Sequence, residues 1–212
     1  LNEDEALKFV SALGKISGRN NAHVRHRNIL VGQMMLQTGL RVSEVCDFPL
    51  RDLPEVESNF LLTPARCAFG KGAKSRMILI PNELLLRLWE YVDIDRERIT
   101  ERFSGIAEEI VSPKLFVSEK GTPLSVNWVE KLFRKASKYT GINAHPHTLR
   151  HTFGTYHYLY NRDLITLSKL LGHSDSETTK RFYVGLAGKI EYASTYRDWN
   201  QKIDRYVEAI YD

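Results

Sequence analysis

The sequence predicts a mainly α domain with one small, three-stranded antiparallel sheet. Two observations carry that expectation. Apolar residues recur at helical spacing through most of the chain. One stretch between Phe48 and Pro81 instead holds short β-favouring runs punctuated by proline and glycine. The length of 212 residues allows a single packed core.

Taken in order, Asn2–Leu13 reads as an amphipathic helix with Ala6, Phe9, Val10 and Leu13 on one face. His23–Leu40 reads as a long, largely buried helix ended by Gly39, and Ser43–Asp47 as a short one. Asn59–Leu62, Arg66–Phe69 and Arg76–Ile80 are the three expected strands. Thr63-Pro64 and Gly70-Lys71-Gly72-Ala73-Lys74 separate them, the second as a hairpin tip. Pro81-Asn82 opens a helix through about Val92, and Leu115–Val117 is a short extended piece. Ser125 caps a helix whose Val126, Val129, Leu132, Phe133 and Ala136 keep a helical period up to Gly141. Helices at about Thr148–Tyr160, Leu164–Leu171 and Ser176–Tyr183 follow. A tail helix from about Gly188 to Ile210 places Ile190, Trp199, Ile203, Tyr206 and Ile210 on one side.

Composition narrows the class. With 42% hydrophobic and 26% charged residues, the chain is an ordinary globular protein rather than a disordered one. No apolar run approaches the roughly 18 residues of a membrane span. The acidic start at Glu3, Asp4 and Glu5 does not fit a signal peptide, so a cytoplasmic location without membrane partners is expected. Cys46 and Cys67 have neither metal-ligand spacing nor a disulfide framework. The chain begins at Leu1 rather than Met and reads as part of something longer. A net charge of +4 says little about nucleic acid, but its distribution says more. Lys131, Arg134, Lys135, Lys138, Arg150 and Arg162 follow one another with no intervening acid, as do Arg66, Lys71, Lys74 and Arg76. Phosphate binding draws on such local concentrations, although a solvated basic face has the same composition.

Four segments bear candidate chemistry. In Thr38-Gly39-Leu40-Arg41-Val42-Ser43-Glu44, Gly39 ends a helix and leaves Arg41 in a turn, where Glu44 can orient it. A guanidinium fork matches two phosphate oxygens, although a surface Arg–Glu pair has the same spelling. Gly70-Lys71-Gly72-Ala73-Lys74-Ser75-Arg76 puts lysines on a hairpin that can approach a DNA groove; its spacing is not that of a P-loop, and a plain polar turn is the alternative. In His145-Pro146-His147-Thr148-Leu149-Arg150-His151, His147 and Arg150 share a helix face, an arrangement suited to an anion between them. The competing reading is a metal held by His147 and His151, against which stand the lack of a neighbouring carboxylate or thiolate and the charge of Arg150. Finally, Leu170-Leu171-Gly172-His173-Ser174-Asp175 precedes Thr178-Thr179-Lys180-Arg181-Phe182-Tyr183, where a capping histidine and a core tyrosine are the ordinary alternatives.

Together, TGLRVSE, GKGAKSR, HTLRHTFGT and LLGHSD…TT…Y resemble, in wording, order and separation, the motifs of the tyrosine recombinase (phage integrase) family over roughly residues 25 to 185. The resemblance implies the tyrosine recombinase catalytic-domain fold and a site-specific recombinase or integrase that cleaves and rejoins DNA through a covalent 3′-phosphotyrosine, without metal, other cofactor or ATP. It implies that Arg41 and Arg150 clamp the scissile phosphate. Lys71 would be the general acid, with Lys74 its rival. His147 and His173 would hydrogen-bond the phosphate and assist proton transfer, Glu44 would support Arg41, and Tyr183 would be the nucleophile. Tyr192 and Tyr196 are later candidates, because Tyr183 lies at the tenth residue after His173 and Phe182 at the ninth.

Lys74, Arg76, Lys131, Arg134, Lys135 and Lys138 are expected on the DNA-binding surface. The implied partners are double-stranded DNA carrying a specific recombination site and further protomers in a tetrameric synapse, with action at the nucleoid and a monomer or weak oligomer off DNA. Residues 1–212 are expected to be the catalytic domain with its tail helix at about 188–211, the N-terminal DNA-gripping domain of the family being absent from this chain. That tail packs either on a neighbouring protomer or on its own domain. The rival functions are a type IB topoisomerase and a catalytically silent DNA-binding regulator. A two-metal nuclease lacks its carboxylate cluster.

Overall fold

The computed structural model describes residues 1–16, 22–57, 59–67, 75–102, 112–172, 179–180 and 183. The elements run α1 (Glu3–Lys15), α2 (Ala22–Thr38), α3 (Val42–Asp47), β1 (Leu62–Cys67), β2 (Arg76–Pro81), α4 (Asn82–Glu90), α5 (Glu97–Glu101), α6 (Val126–Thr140), α7 (Pro146–Asn161) and α8 (Leu164–Leu171). Their bounds follow local chemistry. Asn2 accepts from the Glu5 backbone N–H at 2.8 Å while Glu5 accepts from that of Asn2 at 3.0 Å, a reciprocal cap that starts α1. Ser125 caps α6 through the Trp128 backbone N–H at 3.2 Å, and Gly141 closes it in the left-handed conformation.

Two expectations about this scaffold need correction. Among the described residues the sheet has two strands, not three, because β1 runs straight through Thr63-Pro64. Thr63, Ala65 and Cys67 face inward along β1, and Pro64 points outward opposite Leu79. A strand with an open edge tolerates a proline there, so no turn is required. The second correction is at α4, which does not stop near Val92. It continues through a π-helical stretch, Tyr91–Arg96, directly into α5. The charged residues that obscure the apolar period there are satisfied internally. His26 Nδ1 lies 2.6 Å from Asp95 Oδ2, and Arg96 donates to the Ser112 carbonyl at 2.7 Å.

The chain divides into two units, Leu1–Phe153 with Lys169–Gly172, and Gly154–Ser168 with His173–Asp212. In the first, α1 packs on α2 and α6, with Phe9 and Phe133 rings 5.3 Å apart. Leu13, Leu30, Met34, Phe48, Phe116 and Phe133 are among the fully buried side chains of its core. Arg27 is buried against this core, donating to the Val117 carbonyl at 2.9 Å with its guanidinium 4.7 Å from the Trp128 ring. Cys46 and Cys67 are buried thiols; burial, reinforced by the Asp47 charge, pushes Cys46 up to about 12. Among the described residues no helix is long and apolar enough to cross a membrane. The expected helices at Ser176–Tyr183 and Gly188–Ile210, and Tyr192 and Tyr196, lie largely or wholly outside the described residues.

Candidate active site

The site in the first unit begins where α2 stops. Gly39 has φ +68°, and a side chain there would also press on Phe153, whose Cε1 lies 2.7 Å from the position a Cβ would take. This sharp exit sets Arg41 at the start of α3. The Arg41 backbone N–H donates to Glu44 Oε2 at 2.7 Å, and its Nη1 donates to Oε1 at 3.0 Å. The Arg41 side chain stays 38% exposed while Glu44 is only 2% exposed. Arg41 therefore presents a guanidinium at the surface on a buried carboxylate.

Arg150 approaches the same turn from α7. Its side chain is buried, with Nη1 donating to the Gly39 carbonyl at 2.5 Å and Nη2 to the Leu171 carbonyl at 2.6 Å. These carbonyls end α2 and α8, where helix dipoles place negative partial charge. Arg150 is thus tied to the turn that carries Arg41 and to the end of α8, after which His173 follows. His147 is exposed on the first turn of α7, one turn before Arg150, with its ring 6.3 Å from that of His145. His151 is held below the ordinary imidazole value, first by burial and then by the charges of His147 and Arg150.

Arg76 corrects the expectation that it faces DNA. Its side chain is 7% exposed and turned inward, with Nη1 and Nη2 donating to Glu44 Oε1 and Oε2 at 2.6 and 2.7 Å. Its Nε donates to the Leu170 carbonyl at 2.9 Å. The other basic expectations on described residues, Lys131, Arg134, Lys135 and Lys138, are exposed on α6, opposite buried Val129, Leu132, Phe133 and Ala136. They line a groove of about 570 Å³ together with Trp128. Lys71, Lys74 and His173 lie outside the described residues. Among the described residues no three His, Cys, Asp or Glu side chains gather as metal ligands would.

Burial by itself would raise the Glu44 carboxyl. Hydrogen bonds from Arg76 and the Arg41 backbone, with the charges of both guanidiniums, outweigh it and hold the group below the ordinary carboxylate value. The sign of the linkage follows: the stability it adds is complete above the unfolded pKa of about 4.3 and is lost as pH falls through the lower folded value. The stability advantage of the unsubstituted protein over Glu44→Gln is therefore expected to hold near neutrality and to shrink below about pH 4.3. Thermal unfolding of both proteins across that range checks it; a constant difference would contradict it.

Tyr183 belongs to the second unit and is 1% exposed. Within that unit it packs on Gly154 of α7, where an added Cβ would overlap the ring at Cε1 and Cζ and lie 2.8 Å from Oη. Gly154→Ala must displace the ring, although alanine is the better helix former by about 1 kcal/mol. If Tyr183 is the nucleophile, a misplacement of this kind is expected to slow single-turnover covalent cleavage roughly 100-fold. Unchanged cleavage would mean that the ring has room to adjust.

Arg41 and Arg76 thus meet on the Glu44 carboxylate, while Arg76 and Arg150 hold backbone carbonyls at the ends of α8 and α2. The profile of the phage integrase family matches residues 1–188, and the chain belongs to that family. It is 30% identical over 183 residues to the tyrosine recombinase XerH of Campylobacter jejuni, covering 85% of this chain and 46% of that protein. It is 31% identical over 183 residues to the tyrosine recombinase XerA of Pyrococcus horikoshii, covering 85% of this chain and 54% of that one. The chain thus spans about half the length of the curated relatives it matches. Among solved structures it resembles XerH bound to a palindromic difH substrate after cleavage, with a TM-score of 0.71 at 26% identity over 93% of this chain and 53% of that one. The catalytic domain of bacteriophage HP1 integrase shares the fold, with a TM-score of 0.56 at 20% identity over 86% of this chain and 84% of that one.

Proposed function

We propose that this chain is the catalytic domain of a site-specific DNA recombinase that cuts and rejoins strands through Tyr183. The observation that carries the reading is the pair Arg41 and Arg150, tied to one turn by Glu44 and by the Gly39 carbonyl. Transfer at a phosphodiester requires neutralised nonbridging oxygens, an in-line nucleophile and a protonated leaving group. Two arginines supply charge that does not titrate away, which is the work a metal ion does elsewhere. Tyr183 Oη attacks phosphorus as its proton passes to His147 or His173, the bond to the 5′ oxygen breaks, and a 3′-phosphotyrosine forms. Lys71 gives its proton to the leaving 5′ oxygen, with Lys74 the second candidate, while His147 and His173 hydrogen-bond the phosphate. A 5′-hydroxyl then reverses the step, so that no ATP is needed. Lys131, Arg134, Lys135 and Lys138 track the DNA backbone from α6.

DNA as the partner is supported by the solved XerH recombinase structures that the chain resembles, bound to difH substrate before and after cleavage. We carry over to this chain duplex DNA with a specific site, further protomers in a tetrameric synapse, and action in the cytoplasm at the nucleoid. Residues 1–212 form one catalytic domain in this reading, its tail helix at about 188–211. The test is a nicked suicide duplex bearing the target site, incubated with the full-length protein in EDTA and run on a denaturing gel. A protease-sensitive slow band is the expected result. Relaxation of supercoils without strand exchange would favour a topoisomerase, and tight specific binding without an adduct a silent regulator.

A further inference from the structure

We infer that Arg76 is a positioning residue for strand cleavage, acting on Arg41 through the carboxylate that the two arginines share. The inference rests on the recombinase reading above. Each oxygen of Glu44 takes one bond from each arginine: Oε1 from Arg41 Nη1 and Arg76 Nη1, Oε2 from the Arg41 backbone N–H and Arg76 Nη2. The two arginines are not equivalent in this arrangement. Arg76 is 7% exposed and also engaged at Nε, so its plane is fixed from three directions. Arg41 is 38% exposed and takes its orientation from the carboxylate. Arg76 therefore sets the plane of Glu44, and Glu44 sets Arg41.

Charge gives the arrangement a second consequence. Arg41 and Glu44 alone would form a neutral pair with little net attraction for a phosphate. With Arg76 on the same carboxylate the trio carries one positive charge, and Arg41 is its exposed member. Gly172 preserves the geometry: it has φ +65°, and a Cβ there would lie 2.7 Å from Arg76 Cδ and 3.1 Å from Nε. A side chain at this position would push Arg76 off Glu44 and off the Leu170 carbonyl together.

The experiment uses the full-length protein and two forms of the suicide duplex, one with an ordinary scissile phosphodiester and one with an uncharged methylphosphonate there. Arg76→Met is expected to slow single-turnover cleavage of the phosphodiester about 100-fold, the scale of losing one charge-stabilising group. On the methylphosphonate, where the nonbridging charge is gone, the deficit should shrink to under about 10-fold, because only the charge-dependent part of the loss disappears. Arg76→Lys keeps the charge but cannot span both oxygens and the carbonyl, and should recover part of the rate. Arg76→Met should add little to an Arg41→Ala background, the non-additivity of residues acting as one unit. Should Arg76→Met fail to fold by circular dichroism, Arg76→Lys carries the same comparison between the two substrates. Equal deficits on both substrates, or losses that add to that of Arg41→Ala, would overturn the inference and leave Arg76 as scaffolding. An unsubstituted protein that forms no adduct would instead sink the recombinase reading, and this inference with it.

Discussion

Tyr183→Phe is expected to abolish the covalent protein–DNA adduct while leaving DNA binding close to that of the unsubstituted protein. The substitution removes one oxygen and keeps the ring that packs on Gly154. Without Oη no phosphotyrosine can form, and the loss should exceed the dynamic range of a gel assay, at least about 1000-fold. Because the residue is 1% exposed, its hydroxyl must be uncovered before it can meet a phosphate. DNA binding and cleavage should therefore separate in time, with a binding signal that precedes the adduct. An adduct that survives Tyr183→Phe would move the nucleophile to Tyr192 or Tyr196.

Glu44→Ala should have the largest effect on stability. It leaves the Arg76 guanidinium, 7% exposed, without its countercharge and without two of its hydrogen bonds. Breaking a buried pair from one side costs about 3–5 kcal/mol. For a chain of this length that lowers the melting temperature by roughly 10 °C. Arg41→Ala is the control. Its partner is the same carboxylate, but the arginine is 38% exposed, so the stability loss should be about 0–1 kcal/mol. Both variants should lose cleavage, and only Glu44→Ala should lose stability as well. Equal melting temperatures would show that Glu44 is not the buried centre of this cluster.

The parts of this architecture written in local chemistry were readable in the sequence. Asn2 and Glu5, Ser125 and Gly141, and Gly39 each set a helix boundary through bonds or backbone angles that span only a few residues. The apolar face of α6 was readable for the same reason: helical period and burial coincide at Val129, Leu132, Phe133 and Ala136. What escaped depends on distant partners. Arg76 follows two lysines in a glycine-rich run, so in the sequence it reads as one more basic surface residue. Its true surroundings are Glu44, thirty-two residues earlier, and Leu170, ninety-four later. Pro64 suggested a break because proline usually ends a strand, but only the pairing of β1 with β2 reveals that it faces outward. The continuation of α4 past Val92 was hidden because Asp95 and Arg96 look like solvent-facing residues until His26 and the Ser112 carbonyl are known. The first arginine was readable with its supporting acid, since Arg41 and Glu44 are three residues apart. The second guanidinium on that acid was not.

Both cysteines sit under the protein surface, and the Cys46 thiol is pushed up to about 12, so it holds almost no thiolate near neutrality. Maleimide and iodoacetamide reagents attack the thiolate. The folded chain should therefore be silent toward them, and residues 1–212 already give the background that probe attachment requires. A single cysteine introduced at an exposed position such as Lys138, on the outer face of α6, would be the reactive site. A dye placed there could follow the approach of DNA to that face in real time, with no native thiol removed beforehand.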